Sequence, residues 1–338
     1  MSSRIEHVAA HSPSDSGLSR RRFLATLAVP VVAGACDRIG HGRTVAPGKS
    51  AVGLFAAASY AVDLSDVVFR GLRELQIDVT GRRVLLKPNM VEYEPGTAIN
   101  THPLVVAGAA AALQRAGAAS VVVAEGPGHR RDVEYLLSST GLGDYLREGR
   151  IRFTDLNHDD VRMVKLSGGF MRLNELALPV ELLNSDFVVT MPKLKTHHWA
   201  GMTCSMKNLF GVVPGAVYGW PKNILHMRGI YESILDLTAT VKPQLAIVDA
   251  ITAMEGDGPI MGKPRAMGFI AMGTDPVAVD ATCARIIGLA PEKIGYLLEA
   301  DGRLGNMNDS RIEHRGEQPS RYATTFAVIP QMERLRAG

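Results

Sequence analysis

Three lysines and two adjacent histidines crowd one short stretch of this chain, Met191 to Gly215, reading MPKLKTHHWAGMTCSMKNLFGVVPG. Lys193, Lys195 and Lys207 repel one another, and His197 and His198 add two groups that ordinarily titrate close to neutral pH. A chain accepts such crowding where an anion, a metal or a reacting group offsets it, so perturbed pKa values and a functional site are expected here. An ordinary solvated basic loop is the competing reading. It fits less well, because the lysines alternate with apolar positions and follow a buried-type strand pattern, Asp186-Phe187-Val188-Val189-Thr190. The residue types suit two chemistries. In the first, Lys193, Lys195 and Lys207 grip a carboxylate or phosphate, His198 and Asn208 add contacts, and His197 acts as acid or base. In the second, a metal or a reacting group offsets the crowding, since an amine can hold a group covalently and a neutral imidazole is a common metal ligand.

The elements that must position these groups are short apolar runs alternating with helical ones. Ala51 to Phe55, Val84 to Leu86, Ser120 to Ala124, Phe187 to Val189, Leu245 to Val248 and Phe269 to Ala271 read as strands. Leu64 to Leu75, Leu104 to Arg115, Tyr231 to Thr240 and Val277 to Ile287 read as helices, the last with Asp275 as N-cap and Pro276 at its first position. That alternation predicts an α/β fold, mainly a parallel sheet with helices on both faces. A small β-rich insertion is expected from a hairpin over Met163 to Leu166 and Met171 to Leu176. Parallel sheets hold ligands beyond the carboxyl ends of their strands. Lys87-Pro88-Asn89, Glu125-Gly126, the Met191 stretch, Asp249 and Gly273-Thr274-Asp275 all follow predicted strands, so all five are candidates for one cleft. The same residues also make ordinary turns. The Gly-rich run holding Glu255 and Asp257 could supply, with Asp249, acids that orient a cation or a lysine, or could be a capped turn.

Composition bounds the rest. The chain has 338 residues, 46 % apolar and 21 % charged, enough for one large or two ordinary domains. A net charge of +3, locally concentrated, gives no footprint for nucleic acid. Cys36, Cys204 and Cys283 share no CxxC spacing, so an iron-sulfur cluster is not expected. The glycines match neither a P-loop nor GxGxxG.

Ser19-Arg20-Arg21-Arg22-Phe23-Leu24, followed by an apolar run to Val32 and then Ala33-Gly34-Ala35-Cys36, resembles a twin-arginine export signal. The apolar run is too short to span a bilayer. Residues 1–35 are therefore read as a signal peptide and residues 36–50 as a tether. Residues 51–330 are read as the α/β domain, with a candidate division into two lobes near 150–185. Ala-Gly-Ala-Cys fits both a lipidated Cys36 and an ordinary small-residue cleavage site. The resemblance implies a periplasmic protein, free or anchored by a lipid, whose partners include the twin-arginine machinery. That route carries folded proteins, often with a cofactor already loaded.

The assembled motifs resemble the family called domain of unknown function 362. They are Lys87-Pro88-Asn89, Thr101-His102-Pro103, Pro192 to His197, Met206 to Gly211, Met254 to Gly262 and Asp275 to Asp280. A second resemblance is to the nickel-pincer lactate racemase family. His197 precedes Lys207 by ten residues, Pro214-Gly215 follows, and His226 lies beyond; Ser205-Met206 and Asn208 depart from that family's residues around the lysine. It implies a covalent cofactor on Lys207 and nickel on His226. The expectation is thus an exported protein with a Lys/His site for a small anionic ligand, either an enzyme, metal- or cofactor-dependent in one form, or a non-catalytic envelope binding lipoprotein.

Overall fold

The structure is a computed structural model and describes residues 48–128 and 132–337; the export signal and Cys36 lie outside the described residues. Twelve strands follow in chain order. They are β1 Ser50–Ala56, β2 Arg83–Pro88, β3 Ser120–Glu125, β4 Arg152–Asp155, β5 Val161–Lys165, β6 Glu175–Pro179, β7 Phe187–Met191, β8 Lys193–His197, β9 Gly201–Thr203, β10 Leu245–Glu255, β11 Lys263–Gly273 and β12 Ile312–Gly316. Ten of them form one sheet in the order β12-β1-β11-β10-β7-β2-β3-β4, with β8 added to β10 and β9 to β8. β5 and β6 make a separate antiparallel pair, the small insertion.

The central strands are apolar at nearly every position because both their faces are covered. Successive side chains point to opposite faces of a strand. Leu85, Val122, Val188 and Val248 accordingly enter one core, beneath the helices Ile230–Val241 and Pro276–Ile286. Their neighbours Leu86, Val123, Val189 and Ile247 enter the other, beneath Leu64–Glu74 and Pro103–Arg115. The α/β expectation holds. β2, β3, β4, β7 and β10 are mutually parallel where they pair, as are β1 and β12.

Two local expectations are corrected, and the competing loop reading of the Met191 stretch is set aside. The insertion's second strand is Glu175–Pro179, not Met171 to Leu176. Met171 belongs to the loop and is buried against the helix Ile230–Val241, its N–H donating to the Asp236 carboxylate at 2.6 Å, so its apolar character mimics a strand. β11 runs antiparallel to both neighbours, which carries Asp275 to the opposite end of the sheet from Lys87 and Glu125. There Asp275 caps its helix through the N–H groups of Val277 and Ala278 and accepts from Ser50 Oγ at 2.5 Å. Finally, the stretch after Thr190 is not a loop. β7 ends at Met191, the chain passes Pro192, and β8 and β9 follow as strands.

That last point creates the site. β7 pairs with β2 on one side and with β10 on the other. Past Pro192, whose carbonyl accepts from Asp249 N at 2.9 Å, β8 stays on β10 but pairs with no part of β2. The sheet therefore parts between β2 and β8, just beyond the carboxyl ends of β2 and β3.

Candidate functional site

The parted strands leave a cavity of about 450 Å³. Its floor begins with Lys87, from the end of β2, paired with Glu125, from the end of β3, at 2.6 Å with both side chains buried. Glu125 also accepts from Gly126 N at 2.8 Å and Met90 N at 3.3 Å. Asn208 completes this corner: its Oδ1 accepts from Lys87 Nζ at 3.3 Å, while its Nδ2 donates to the Lys87 carbonyl and to Thr190 Oγ1, each at 3.0 Å. Burial pulls the Lys87 pKa down, and Glu125 offsets part of that shift. Gly211 is required here, because a Cβ on it would lie 1.8 Å from Glu125 Oε1 and 2.5 Å from Lys87 Nζ. Asn89 also lines the cavity, and its Oδ1 is buried with no hydrogen-bond partner among the described residues.

β8 supplies the second wall. Lys195 is fully buried, and its amine donates to the carbonyls of Ile99 at 2.7 Å and Pro259 at 3.3 Å. With no carboxylate beside it, burial and then the charges of Lys207 and Lys193 drive its pKa well below the usual lysine range. His197 is held by the tight β8–β9 hairpin, where its Nδ1 accepts from Trp199 N at 3.1 Å and Ala200 N at 3.2 Å. Two donors on Nδ1 place the proton of the neutral ring on Nε2, an assignment made from these hydrogen bonds. Burial, then Lys207 and the neighbouring histidines, hold that ring neutral. His197 thus presents an N–H donor, not the free Nε2 lone pair a metal would need.

Lys207 comes from the turn of helix Ser205–Asn208. Asp280, fully buried in the helix Pro276–Ile286, fixes that turn by accepting from Ser205 N at 2.7 Å and Met206 N at 3.2 Å. Half-buried, Lys207 lines the cavity with its amine over the Phe210 ring, 3.6 Å from the centroid. No hydrogen bond or ion pair among the described residues engages that amine. Burial, followed by repulsion from Lys87, lowers its pKa to about 7. His226 lies on the same cavity, edge-on to Trp199. His198 and Asp257 also line it and face each other at 3.3 Å.

The remaining candidates lie elsewhere. Lys193 alternates with Lys195 along β8 but ends in a buried pair with Asp249 at 2.5 Å, joined by Tyr60 Oη at 2.9 Å, and neither reaches the cavity. Burial opposes the Lys193 charge, yet Asp249 and Tyr60 outweigh it and raise its pKa. Glu255 is a structural tie, accepting from Ala327 N at 2.9 Å and facing Arg265 at 3.5 Å. These three residues spend their charge on the fold because a partner sits within reach.

Lys222 was not legible in the sequence. It stands beside Trp220-Pro221, a pair whose composition suggests only a turn, and its left-handed backbone (φ 67°) turns the side chain inward. Its amine donates to Asn157 Oδ1 at 3.1 Å, to the Gly211 carbonyl at 3.3 Å and to the Val213 carbonyl. Burial is the main cause of a pKa lowered to about 7. A lysine following a turn proline inside an apolar stretch was the available signal.

The buried lysines Lys87, Lys195 and Lys222 and half-buried Lys207 thus share one cavity with a single buried carboxylate, Glu125. Among the described residues no three His, Cys, Asp or Glu side chains converge as a metal site. A metal carried by an organic group on Lys207 and reached by His226 would still have both protein attachments on one cavity.

Residues 84–285 match the model of a family described as a domain of unknown function, DUF362. A thylakoid-associated protein of Synechocystis is 34 % identical over 237 residues, covering 67 % of this chain and 68 % of that protein. Among solved structures, the lactate racemase apoprotein of Thermoanaerobacterium thermosaccharolyticum has a TM-score of 0.44 at 13 % identity, over 72 % of this chain. A Thermotoga maritima protein has a TM-score of 0.36 at 17 % identity, over 65 %. This chain spans 58 % of each of those two, and at such scores neither likeness bears on its chemistry. The chain belongs to the DUF362 family.

Proposed function

We propose that this DUF362 protein is an exported enzyme that binds an organic carboxylate on the lysine floor and moves a proton at the adjacent carbon. The observation that carries it is the Lys207 amine, without a partner among the described residues and with its pKa brought to about 7. An amine so placed is a competent base at neutral pH. Lys195 and Lys222, buried without a carboxylate partner, regain charge when an anion enters and so favour its binding. Asn208 and Lys87 hold the corner, and His197 offers its Nε2–H to the developing oxyanion or carbanion. Export is supported by the twin-arginine pattern and by the thylakoid association in the relative's name. No described helix is long and apolar enough to cross a membrane.

The test is exchange in D2O. Purified protein is incubated with a panel of small carboxylates and the α-proton signal is followed by NMR. Washout that disappears in Lys207→Ala and His197→Gln supports the proposal. Tight binding with no exchange across the panel overturns it in favour of a non-catalytic binding protein.

A second reading uses the same groups. Lys207 would carry an organic cofactor and His226 would ligate its metal, which the shared cavity permits. Intact mass and metal content of protein purified after native export decide this: a clean polypeptide mass with no metal overturns it.

A further inference from the structure

The more exposed part of the cavity does not suit a small polar anion. Val91, Trp199, Ile260 and Met261 line it. Trp199 is 58 % exposed and Met261 77 % exposed, so two large apolar side chains stand at the mouth in contact with water. Leaving such surface wet costs free energy that an apolar ligand would recover. The volume, about 450 Å³, lies in the range that holds drug-sized molecules, so a two- or three-carbon acid would leave most of the cavity to water. Buried lysines and exposed apolar side chains thus line one cavity, with the His198–Asp257 pair beside Trp199.

We infer that the ligand is an amphiphilic anion, a carboxylate or phosphate head carried on an apolar body, with the head on the lysine floor and the body between Trp199, Ile260 and Met261. The inference rests on the anion-binding reading above and names the class of its substrate. The mouth residues are then specificity determinants, and Lys195 and Lys222 supply the head-group charge.

Calorimetric titration with acetate, butanoate, hexanoate and octanoate at pH 7 tests it, with 1-octanol as the uncharged control. Affinity is expected to rise roughly two- to fourfold for each added methylene, the upper value being that of a fully buried methylene. Octanoate should bind at least about tenfold more tightly than 1-octanol, the difference being the charge. Met261→Ser, on an exposed side chain whose loss leaves the fold intact, should weaken octanoate and leave acetate unchanged. Equal affinity along the series overturns the inference while the anion site stands. Equal affinity for octanoate and 1-octanol overturns the anion site as well, as does failure of every alkanoate to bind.

The same head and body reach the protein either as a free amphiphile or as a lipid. Sedimentation with phosphatidylglycerol vesicles separates them. Vesicle binding displaced by octanoate assigns the cavity to a lipid head group, and absence of vesicle binding assigns it to a free amphiphile. Vesicle binding that octanoate does not displace overturns the lipid source.

Discussion

Lys207 and Lys195 lack what Lys193 has within reach, a carboxylate and a phenol oxygen. Lys193 has Asp249 and its pKa rises; the other two lack such a partner and theirs fall. Binding of an anion reverses that deficit, so protons are taken up from solution. Calorimetry at pH 8 in buffers of different ionisation enthalpy should therefore find net proton uptake on anion binding, reduced in Lys222→Met. Anion affinity should decline as pH rises through about 7, where Lys222 loses its proton, while a reaction using Lys207 as base gains over the same interval. The two trends together give a bell-shaped kcat/KM against pH centred near neutrality. Gly211 gives a second residue-level test. Gly211→Ala forces the Lys87–Glu125 pair apart and should cost about 1–3 kcal/mol by denaturant unfolding, with loss of anion binding. Unchanged binding in that variant would mean the pair is not part of the site.

At the scale of elements, the site depends on two supports that touch no ligand. Asp280 holds the Ser205–Asn208 turn from behind, so Asp280→Ala should lower stability by about 1–3 kcal/mol and raise the Lys207 pKa as the turn loosens. The labelling pH profile of Lys207 would read that shift, which a purely structural loss would not produce. The Lys193–Asp249 pair ties β8 to β10, and Lys193→Met alone strands a buried carboxylate at a cost of about 3–5 kcal/mol. Lys193→Met with Asp249→Leu should recover most of it. These supports also explain what the sequence could and could not tell. The strands were legible because Val, Leu and Ile at nearly every position admit few alternatives, and Asp275-Pro276 announced a helix start. Lys195, His197, His198, Lys207, Asn208 and His226 were legible as a cluster from residue type and proximity in sequence. The partnering of Lys193 with Asp249 was not, because it depends on β8 lying beside β10 in a register no local pattern encodes. Lys222 escaped for a similar reason, since an inward lysine is set by one left-handed residue.

For the whole molecule, the unusual quantity is cationic charge held inside the fold. Lys207 and Lys222 titrate near 7 when folded and at 10.5 in the reference state. Between those values the unfolded chain binds more protons, so stability rises with pH across that window. Tyr60 and Tyr296, whose pKa values are raised by burial, act oppositely above about pH 10. The melting temperature should thus increase from pH 7 to pH 9, by less in Lys207→Met. A fall over that range would contradict the buried-lysine account. The parting of the sheet at Pro192 has one further consequence, for motion. Of the residues that line the cavity from β8, Lys195 pairs with Met254 of β10, an eleven-residue strand of the central sheet, and His197 pairs with Gly201 of β9. A site built on loops breathes with the loops, but the amide of Lys195 should exchange with deuterium only on the timescale of global opening. Ligand would then come and go past Trp199 and Met261 without the floor ever loosening, so residence time is set at the mouth.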